Sequence, residues 1–386
     1  MNFKIIQISS SSHSFAMENY EQDIFRGWYA QVAYQLKKFY PKIEVECWTP
    51  ERKYKKEKTR NYENIKFRIF PSTFSLRHGM DISIQMIKAL KKEIIKAKIE
   101  KKKLILHIHE YHSWQAYLIL FLKKNGFKII AQHHGGRSPF KNLGKFKKLF
   151  FFLPAILIMQ AIENNFLRKV EVFYALSNEE ISYLKRTAPN SKIKFQTMGI
   201  DDEFFKKGDK IKARKKLGFE KNKKYVLYIG RISKNKGVLE LVEAMKSLGE
   251  SVNLLLIGEG SIERYKKFTE ENNIKNIRFV GAVYGKEKFL YFDACDVFVL
   301  PSYTEGAPVT LMEAIAKNLK VIATNVGGVS KMMENGREGL IISPKSSKDI
   351  EKALKEVLIW KKKDIRKNSE RYKWDKIIRD TFDDYN

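Results

Sequence analysis

The stretch that decides the fold is residues 301–313, Pro301-Ser302-Tyr303-Thr304-Glu305-Gly306-Ala307-Pro308-Val309-Thr310-Leu311-Met312-Glu313. It follows Asp296-Val297-Phe298-Val299-Leu300, a β-branched and aromatic run that predicts a buried strand. After Pro308 the apolar positions become Leu311, Met312, Ala314, Ile315 and Ala316, the spacing of a helix. A strand, a Gly/Pro loop and a helix start, in that order, form the βα corner at which α/β proteins hold ligands. Backbone N–H groups between Ala307 and Thr310 have no partner inside such a helix, and its macrodipole favours an anion there. Two carboxylates flank the corner, Glu305 on the loop and Glu313 in the helix, with seven residues between them. A carboxylate beside a phosphate site is unfavourable, so hydroxyl recognition explains the pair better, and sugars and riboses supply hydroxyls. A solvated loop glutamate and a helix-surface glutamate are the plain alternatives for either one alone.

Outward from this corner, strands alternate with helices in both directions. Downstream, residues 321–324 form a strand before Asn325-Val326-Gly327-Gly328-Val329. Upstream, strands are expected at 225–229, 253–257 and 277–280, with a helix at 238–247. Gly258-Glu259-Gly260 lacks a third glycine at the dinucleotide-binding spacing and reads as a strand-end turn. In the first half the strands are 3–8, 45–49, 104–109, 127–132, 172–176 and 192–198. Helices are expected at 25–40, at 82–103 (with Ile84, Ile87, Leu90, Ile94 and Ile95 on its buried side) and at 179–185, capped by Ser177-Asn178. Residues 51–63 read as a solvated, charged connector. The pattern predicts an α/β protein with two Rossmann-like parallel-sheet domains, 1–200 and 201–370, and a closing helix in 371–386.

Composition agrees with folded domains. The chain has 386 residues with 44% hydrophobic content, enough for roughly two or three domains. Its two cysteines, Cys47 and Cys295, stand far apart in no metal-like spacing and read as buried thiols of a reducing, cytoplasmic compartment. The start of the chain is a strand and a serine run, which is not the pattern of a signal peptide. A net charge of +30 admits nucleic acid, anionic membrane or anionic substrates. No zinc spacing, RNP pattern or basic zipper accompanies it, so nucleic acid is not expected as a partner.

Gly230-Arg231 and Lys236-Gly237 form a second βα corner, at the end of the first strand of the second domain. Two cations there can neutralise a diphosphate leaving group without a metal. Arg231 offers a planar fork and Lys236 a mobile point charge. A capped helix with solvated cations is the plain alternative. Gly327-Gly328-Val329 adds small residues that let backbone approach a ligand.

Taken together, Ser-x-x-Glu-Gly-x-Pro-x-x-x-x-Glu-Ala over residues 302–314 and the Gly230-Arg231/Lys236-Gly237 pair resemble the signature of retaining nucleotide-sugar glycosyltransferases of the GT-B fold, of the family 4 (group 1) type. The resemblance covers nearly the whole chain and is strongest from 230 to 328. It implies two Rossmann-like domains facing a cleft, with the nucleotide-sugar on the second and the acceptor on the first. It also implies that Arg231 and Lys236 meet the donor phosphates, Glu313 the ribose and Glu305 the transferred sugar. Gly230, Gly306, Ala307, Pro308 and Val309 would complete the donor site. The resemblance implies no metal and no cofactor beyond a UDP- or GDP-linked donor, and a glycan or lipid-linked acceptor. Related transferases carry a Gly-Gly pair after the first strand where this chain has Ser9 to Ser14, which departs from the pattern.

Five of the seven histidines cluster at two strand ends: His107, His109, His112, His133 and His134. Helical i,i+4 pairing and accompanying Cys or Asp clusters are missing, which argues against zinc. The resemblance assigns His134 to the donor sugar, with His133 as the second candidate, while His107 reads as a core residue. Residues 136–162 interleave Arg137, Lys141, Lys145, Lys147 and Lys148 with Phe140, Leu143, Phe146 and Phe150. The apolar run 149–159 contains Pro154 and is too short to span a bilayer. Peripheral contact with the inner face of an anionic membrane and burial in the first domain are both open for it. Two other classes remain open as well: another GT-B enzyme (an epimerase or a phosphorylase), or a non-enzymatic basic binding protein.

Overall fold

The computed structural model describes residues 2–10, 24–74, 81–123, 126–134, 153–361 and 364–386, and divides into two compact units, Met1–Met198 with Asp375–Asn386, and Gly199–Trp374. The first unit runs β1 (Phe3–Ser9), α1 (Trp28–Phe39), β2 (Glu44–Glu51), β3 (Lys58–Tyr62), β4 (Ile65–Pro71), α2 (Ile84–Ile99), β5 (Lys103–His109), α3 (Trp114–Phe121), β6 (Lys128–Gln132), α4 (Leu153–Leu167), β7 (Val172–Ala175), α5 (Asn178–Thr187) and β8 (Lys192–Phe195). Its sheet has the order β3-β4-β2-β1-β5-β6-β7-β8, parallel throughout except for the β3–β4 pair. Strands such as Phe3–Ser9 and Lys103–His109 are buried along almost their whole length because helices cover both faces, as parallel sheets require. One face carries a continuous core in which Met86, Leu90 and Ile94 of α2 and Ala116, Ile119 and Leu120 of α3 pack on Ile6, Leu106, Ile108 and Ile129. Ser177 starts a helix where the sequence places it, and Ser83 and Ser113 start two others; each accepts a hydrogen bond from the backbone N–H three residues on.

The second unit runs α6 (Lys210–Leu217), β9 (Lys224–Ile229), α7 (Val238–Met245), β10 (Val252–Ile257), α8 (Ile262–Glu271), β11 (Ile277–Gly281), α9 (Lys286–Ala294), β12 (Val297–Leu300), α10 (Val309–Ala316), β13 (Lys320–Thr324), α11 (Val329–Met332), β14 (Gly339–Ile342) and α12 (Ser347–Ile359). Its six strands are all parallel in the order β11-β10-β9-β12-β13-β14. The order reverses between β9 and β12, which pair through Val226↔Val297 and Leu227↔Phe298. The loops leaving those two strands therefore open side by side at the switch point, where such sheets bind ligands. A last helix, α13 (Trp374–Tyr385), returns the chain to the first unit, which includes residues 375–386.

Two sequence expectations are corrected here. Residues 51–63 are not a plain connector: Lys58–Tyr62 is an edge strand, antiparallel to β4 through a two-residue turn with positive φ at Glu63 and Asn64. All five residues of β3 are exposed, so no buried alternation marks it, and its Lys and Arg blunt the sheet edge. On α2, Ile84 and Ile95 face solvent at 42% and 60% exposure, while Met86, Ala89, Leu90, Ile94 and Ala97 form the buried stripe. Ile84 and Ile95 lie about three turns apart on the same outer line, a second apolar row with the same helical period as the buried one. Strand β14 also had no counterpart in the sequence reading. Both cysteines are buried and free.

Candidate active site

The corner after β12 is held from two sides by backbone. Gly237 sits at φ +66, and a Cβ there would lie 1.9 Å from the Pro301 carbonyl oxygen. Gly327 sits at φ +57, and its Cβ would lie 2.1 Å from the Glu305 carbonyl oxygen. Neither position has room for a side chain, and both need a backbone that L-residues avoid. Hydrogen bonds tie the same loop down: Tyr303 N to Asn235 O at 2.9 Å, Gly328 N to Gly306 O at 2.7 Å, and Thr324 Oγ1 to Ser302 O at 2.5 Å. The loop 301–308 is thus clamped between the β9 corner and the β13 corner, and helix α10 begins at its end.

Helix α10 starts at Val309 with Pro308 as N-cap and no side chain capping it. The first N–H groups of such a helix have no internal acceptor, so the corner presents donors and a positive dipole end to an anion. Lys236 adds a full charge: its Nζ lies 2.6 Å from Glu305 Oε1, and Ser302 Oγ donates to the same oxygen at 2.6 Å. Arg231 is exposed, and among the described residues its side chain has no hydrogen-bond or ion-pair partner. Its carbonyl accepts from Tyr228 Oη at 2.7 Å, a phenol that burial and the nearby Glu305 carboxylate both keep protonated. Ile232 N donates to Glu259 O at 2.7 Å and Gly230 N to Ile257 O at 3.0 Å, so the Gly258-Glu259-Gly260 turn braces the Arg231 corner. Arg231, Lys236, Glu305 and the start of α10 thereby belong to adjoining corners of one switch point.

Glu313 has a different setting. It is 5% exposed, and both carboxylate oxygens accept from Lys288 Nζ on α9, at 2.8 and 2.6 Å. Burial pushes its carboxyl above the usual range, and the Lys288 ammonium pulls the other way. Lys288 and Ser302 are site neighbours that the sequence reading did not assign. Ser302 stood inside the quoted motif, three residues before Glu305. Lys288 is one lysine among 74 basic residues, and only its ion pair with the buried Glu313 distinguishes it.

In the first unit the histidines fall into two groups. His109 Nδ1 lies 2.8 Å from His134 Nε2, and His109 Nε2 lies 2.8 Å from Gln7 Oε1. Trp28 meets the His134 ring edge-on at 4.2 Å between centroids. His107 is 1% exposed, as a core residue should be, with Nδ1 2.8 Å from Tyr385 Oη. His112 instead meets Glu163 at 2.8 Å, and His133 meets Glu180 at 3.2 Å. Glu163 also accepts from Tyr117 at 2.6 Å, and Glu180 accepts from the Leu176 N–H at 2.8 Å. Among the described residues no three His, Cys, Asp or Glu side chains gather as a metal-ligand set. Residues 11–14 of the serine-rich loop and the basic segment 136–152 lie outside the described residues, as do the side chains of 153–159. No helix among the described residues is long and apolar enough to cross a membrane.

Two Rossmann-like parallel-sheet units, the second with its ligand corners at the β9/β12 switch point, are the GT-B fold. Over 99% of this chain and 99% of the other, the fold matches that of HepE from Anabaena, solved in complex with UDP, with a TM-score of 0.71 at 16% identity. Residues 209–374 match the family model described as glycosyl transferases group 1, and the second unit is a domain of that family. Among curated proteins the chain is 36% identical over 145 residues to TuaC of Bacillus subtilis, named as a teichuronic acid biosynthesis glycosyltransferase, which covers 38% of this chain and 36% of that protein. It is 31% identical over 149 residues to the N,N'-diacetylbacillosaminyl-diphospho-undecaprenol alpha-1,3-N-acetylgalactosaminyltransferase of Campylobacter jejuni, over 37% of this chain and 39% of that protein. The matched stretch is thus under half the length of either relative.

Proposed function

We propose that the protein is a retaining hexosyltransferase of family 4 type that moves a sugar from a UDP- or GDP-linked donor to a glycan or lipid-linked acceptor. The observation that carries this reading is the pairing of Lys236 with Glu305 at 2.6 Å across two adjoining corners, one of which also carries Arg231 and the other an uncapped helix start. In this reading the diphosphate takes up Arg231, Lys236 and the backbone donors after Pro308, and Gly230 and Gly306 to Val309 line its path. Lys236 then exchanges Glu305 for phosphate oxygens, and the freed carboxylate of Glu305 accepts hydroxyl hydrogen bonds from the transferred sugar. Glu313 accepts from the ribose hydroxyls beside Lys288. Positive charge aimed at the departing diphosphate stabilises the transition state without a metal, and the diphosphate itself takes the acceptor's proton on the same face. For His134 the proposed role is the one the resemblance implies, a hydrogen bond to a sugar hydroxyl.

The lipid-linked acceptor class is supported by the Campylobacter relative's name, which specifies a diphospho-undecaprenol substrate. In the same reading, residues 136–159 hold the protein on an anionic membrane surface from its cytoplasmic side. Vesicle co-sedimentation checks that part: binding should need anionic lipid and weaken with salt. The donor assignment is tested by a thermal-shift panel of UDP-, GDP- and ADP-sugars, because a ligand that binds the folded state raises its stability according to its affinity. Stabilisation by one nucleotide class and loss of it in Arg231→Ala is the expected result. No shift with any nucleotide sugar at millimolar concentration overturns the reading.

A further inference from the structure

A row of hydrogen bonds crosses the first unit from its last helix to His134. Gln7, on β1, is wholly buried; its Nε2 donates to Tyr385 Oη at 3.0 Å, and its Oε1 faces His109 Nε2 at 2.8 Å. His109 Nδ1 then meets His134 Nε2 at 2.8 Å, the two rings lying within 6° of parallel. At the far end, Tyr385 Oη meets His107 Nδ1 at 2.8 Å. Gln7, His107, His109 and Tyr385 are at most 3% exposed, and His134 is the half-buried end of the row.

Burial favours the neutral form along this row. Burial holds the His109 and His134 rings well below the ordinary imidazole range, and takes His107 down to about 3. A neutral imidazole donates from one nitrogen and accepts at the other, so each bond dictates the next. Gln7 Oε1 can only accept, which puts the His109 proton on Nε2. His109 Nδ1 is then a lone pair, and His134 must offer it an Nε2–H. The His134 Nδ1 is left unprotonated. At the other end Tyr385 Oη accepts from the Gln7 amide, which leaves its own hydrogen available for His107 Nδ1. Reversing the Gln7 amide would invert every bond and move the His134 proton to Nδ1.

We propose that Tyr385 and Gln7, acting through His109, are positioning residues that hold His134 in the Nε2–H tautomer, with Nδ1 as a hydrogen-bond acceptor for a ligand hydroxyl. The proposal rests on the glycosyltransferase reading for the identity of that ligand, a sugar; the tautomer does not depend on it. A ring in water samples both tautomers, whereas this one is committed before the ligand arrives. Trp28, edge-on to the ring, further restricts its rotation. The commitment is a property of hydrogen-bond direction, since no member needs to change charge.

The test is a long-range 1H–15N correlation on the full chain labelled with 15N-histidine at neutral pH, with His134→Gln identifying the His134 signals. The wild type should show a protonated-type Nε2 and an unprotonated-type Nδ1 at His134. Tyr385→Phe keeps the ring but removes the hydroxyl that orients the Gln7 amide. It should shift both His134 nitrogens towards averaged values and lower sugar transfer on the order of tenfold, the effect of one misdirected hydrogen bond. A wild-type His134 protonated on Nδ1 overturns the proposal without any variant, so a Tyr385→Phe chain that fails to fold does not shelter it. Unchanged His134 shifts in a folded Tyr385→Phe also overturn it, even where transfer proceeds and the functional reading stands. The expected shifts in a protein that uses no nucleotide sugar would support the row and remove the sugar as its ligand.

Discussion

Replacing Gly327 with alanine should disable the β12 corner while leaving the second unit folded. At φ +57 the new side chain sits in the left-handed region, which costs about 1–2 kcal/mol for an L-residue. Its Cβ would also stand 2.1 Å from the Glu305 carbonyl oxygen and 2.8 Å from that of Gly306, where ordinary contact begins near 3.4 Å. Both obstacles are main chain, so no side chain can swing away and the loop must retreat by about 1 Å, adding about 1–3 kcal/mol of overpacking. The combined cost of about 2–5 kcal/mol corresponds to a fall in melting temperature on the order of 10 °C for a unit of this size. The catalytic consequence is larger. The carbonyls of Glu305 and Gly306 belong to the loop that aims Glu305 and starts α10, and a displacement of about 1 Å at such a loop costs about a hundredfold in rate. The assay is kcat/KM for sugar transfer with the donor found in the thermal-shift panel, beside calorimetry of the same samples. Gly218→Ala is the control, because Gly218 has φ +66 at the end of α6 with open space around it. It should lose the backbone cost alone and keep its activity. Wild-type transfer by Gly327→Ala, or equal losses in both variants, would refute the reasoning that this loop is clamped and that its position matters.

Arg231→Ala and Lys236→Ala should each lower turnover about a hundredfold or more at saturating donor while the fold persists, since each removes positive charge opposite a leaving diphosphate; steady-state kinetics decide, and near-normal turnover by both rejects their role. Transfer should continue in excess chelator, and loss restored by magnesium or manganese would contradict the metal-independent reading. Asp384 is 2% exposed and, although burial pushes its carboxyl up, hydrogen bonds from Lys192, Lys194 and Tyr174 hold it below the usual range. A depressed folded value means that stability is present above the unfolded carboxylate range and is lost as pH falls through the folded one. Asp384→Asn should therefore be less stable than wild type by about 1–2 kcal/mol near neutrality, and the gap should close in acid; a gap that does not depend on pH would rule out the ionised carboxylate as its source.

The fold class was legible in the chain because parallel strands buried on both faces announce themselves as continuous apolar runs. Val297–Leu300, Lys224–Ile229 and Phe3–Ser9 need no partner to be recognised, and the Gly/Pro corners after them mark where each strand must stop. The exposed edge strand Lys58–Tyr62 carries no such mark, since nothing in its side chains is buried and only pairing with β4 makes it a strand. For α2, apolar spacing identified a helix but not its buried line, because two apolar rows fit one period and the sheet beneath selects between them.

At the site the division is similar. Sequence by itself determined the local corners: Gly230-Arg231 with Lys236-Gly237, and Glu305 to Glu313, each within one strand-loop-helix unit whose geometry follows from its own residues. Tertiary structure alone decided which distant groups meet them. Gly327 presses on Glu305, Lys288 pairs with Glu313, and Lys236 pairs with Glu305 because β9 and β12 are neighbours in space though not in sequence. Likewise Gln7, His109, His134 and Tyr385 come from four parts of the chain and share no pattern. Local backbone chemistry is written in neighbouring residues, whereas a buried hydrogen-bond row depends on sheet order and on where the last helix docks.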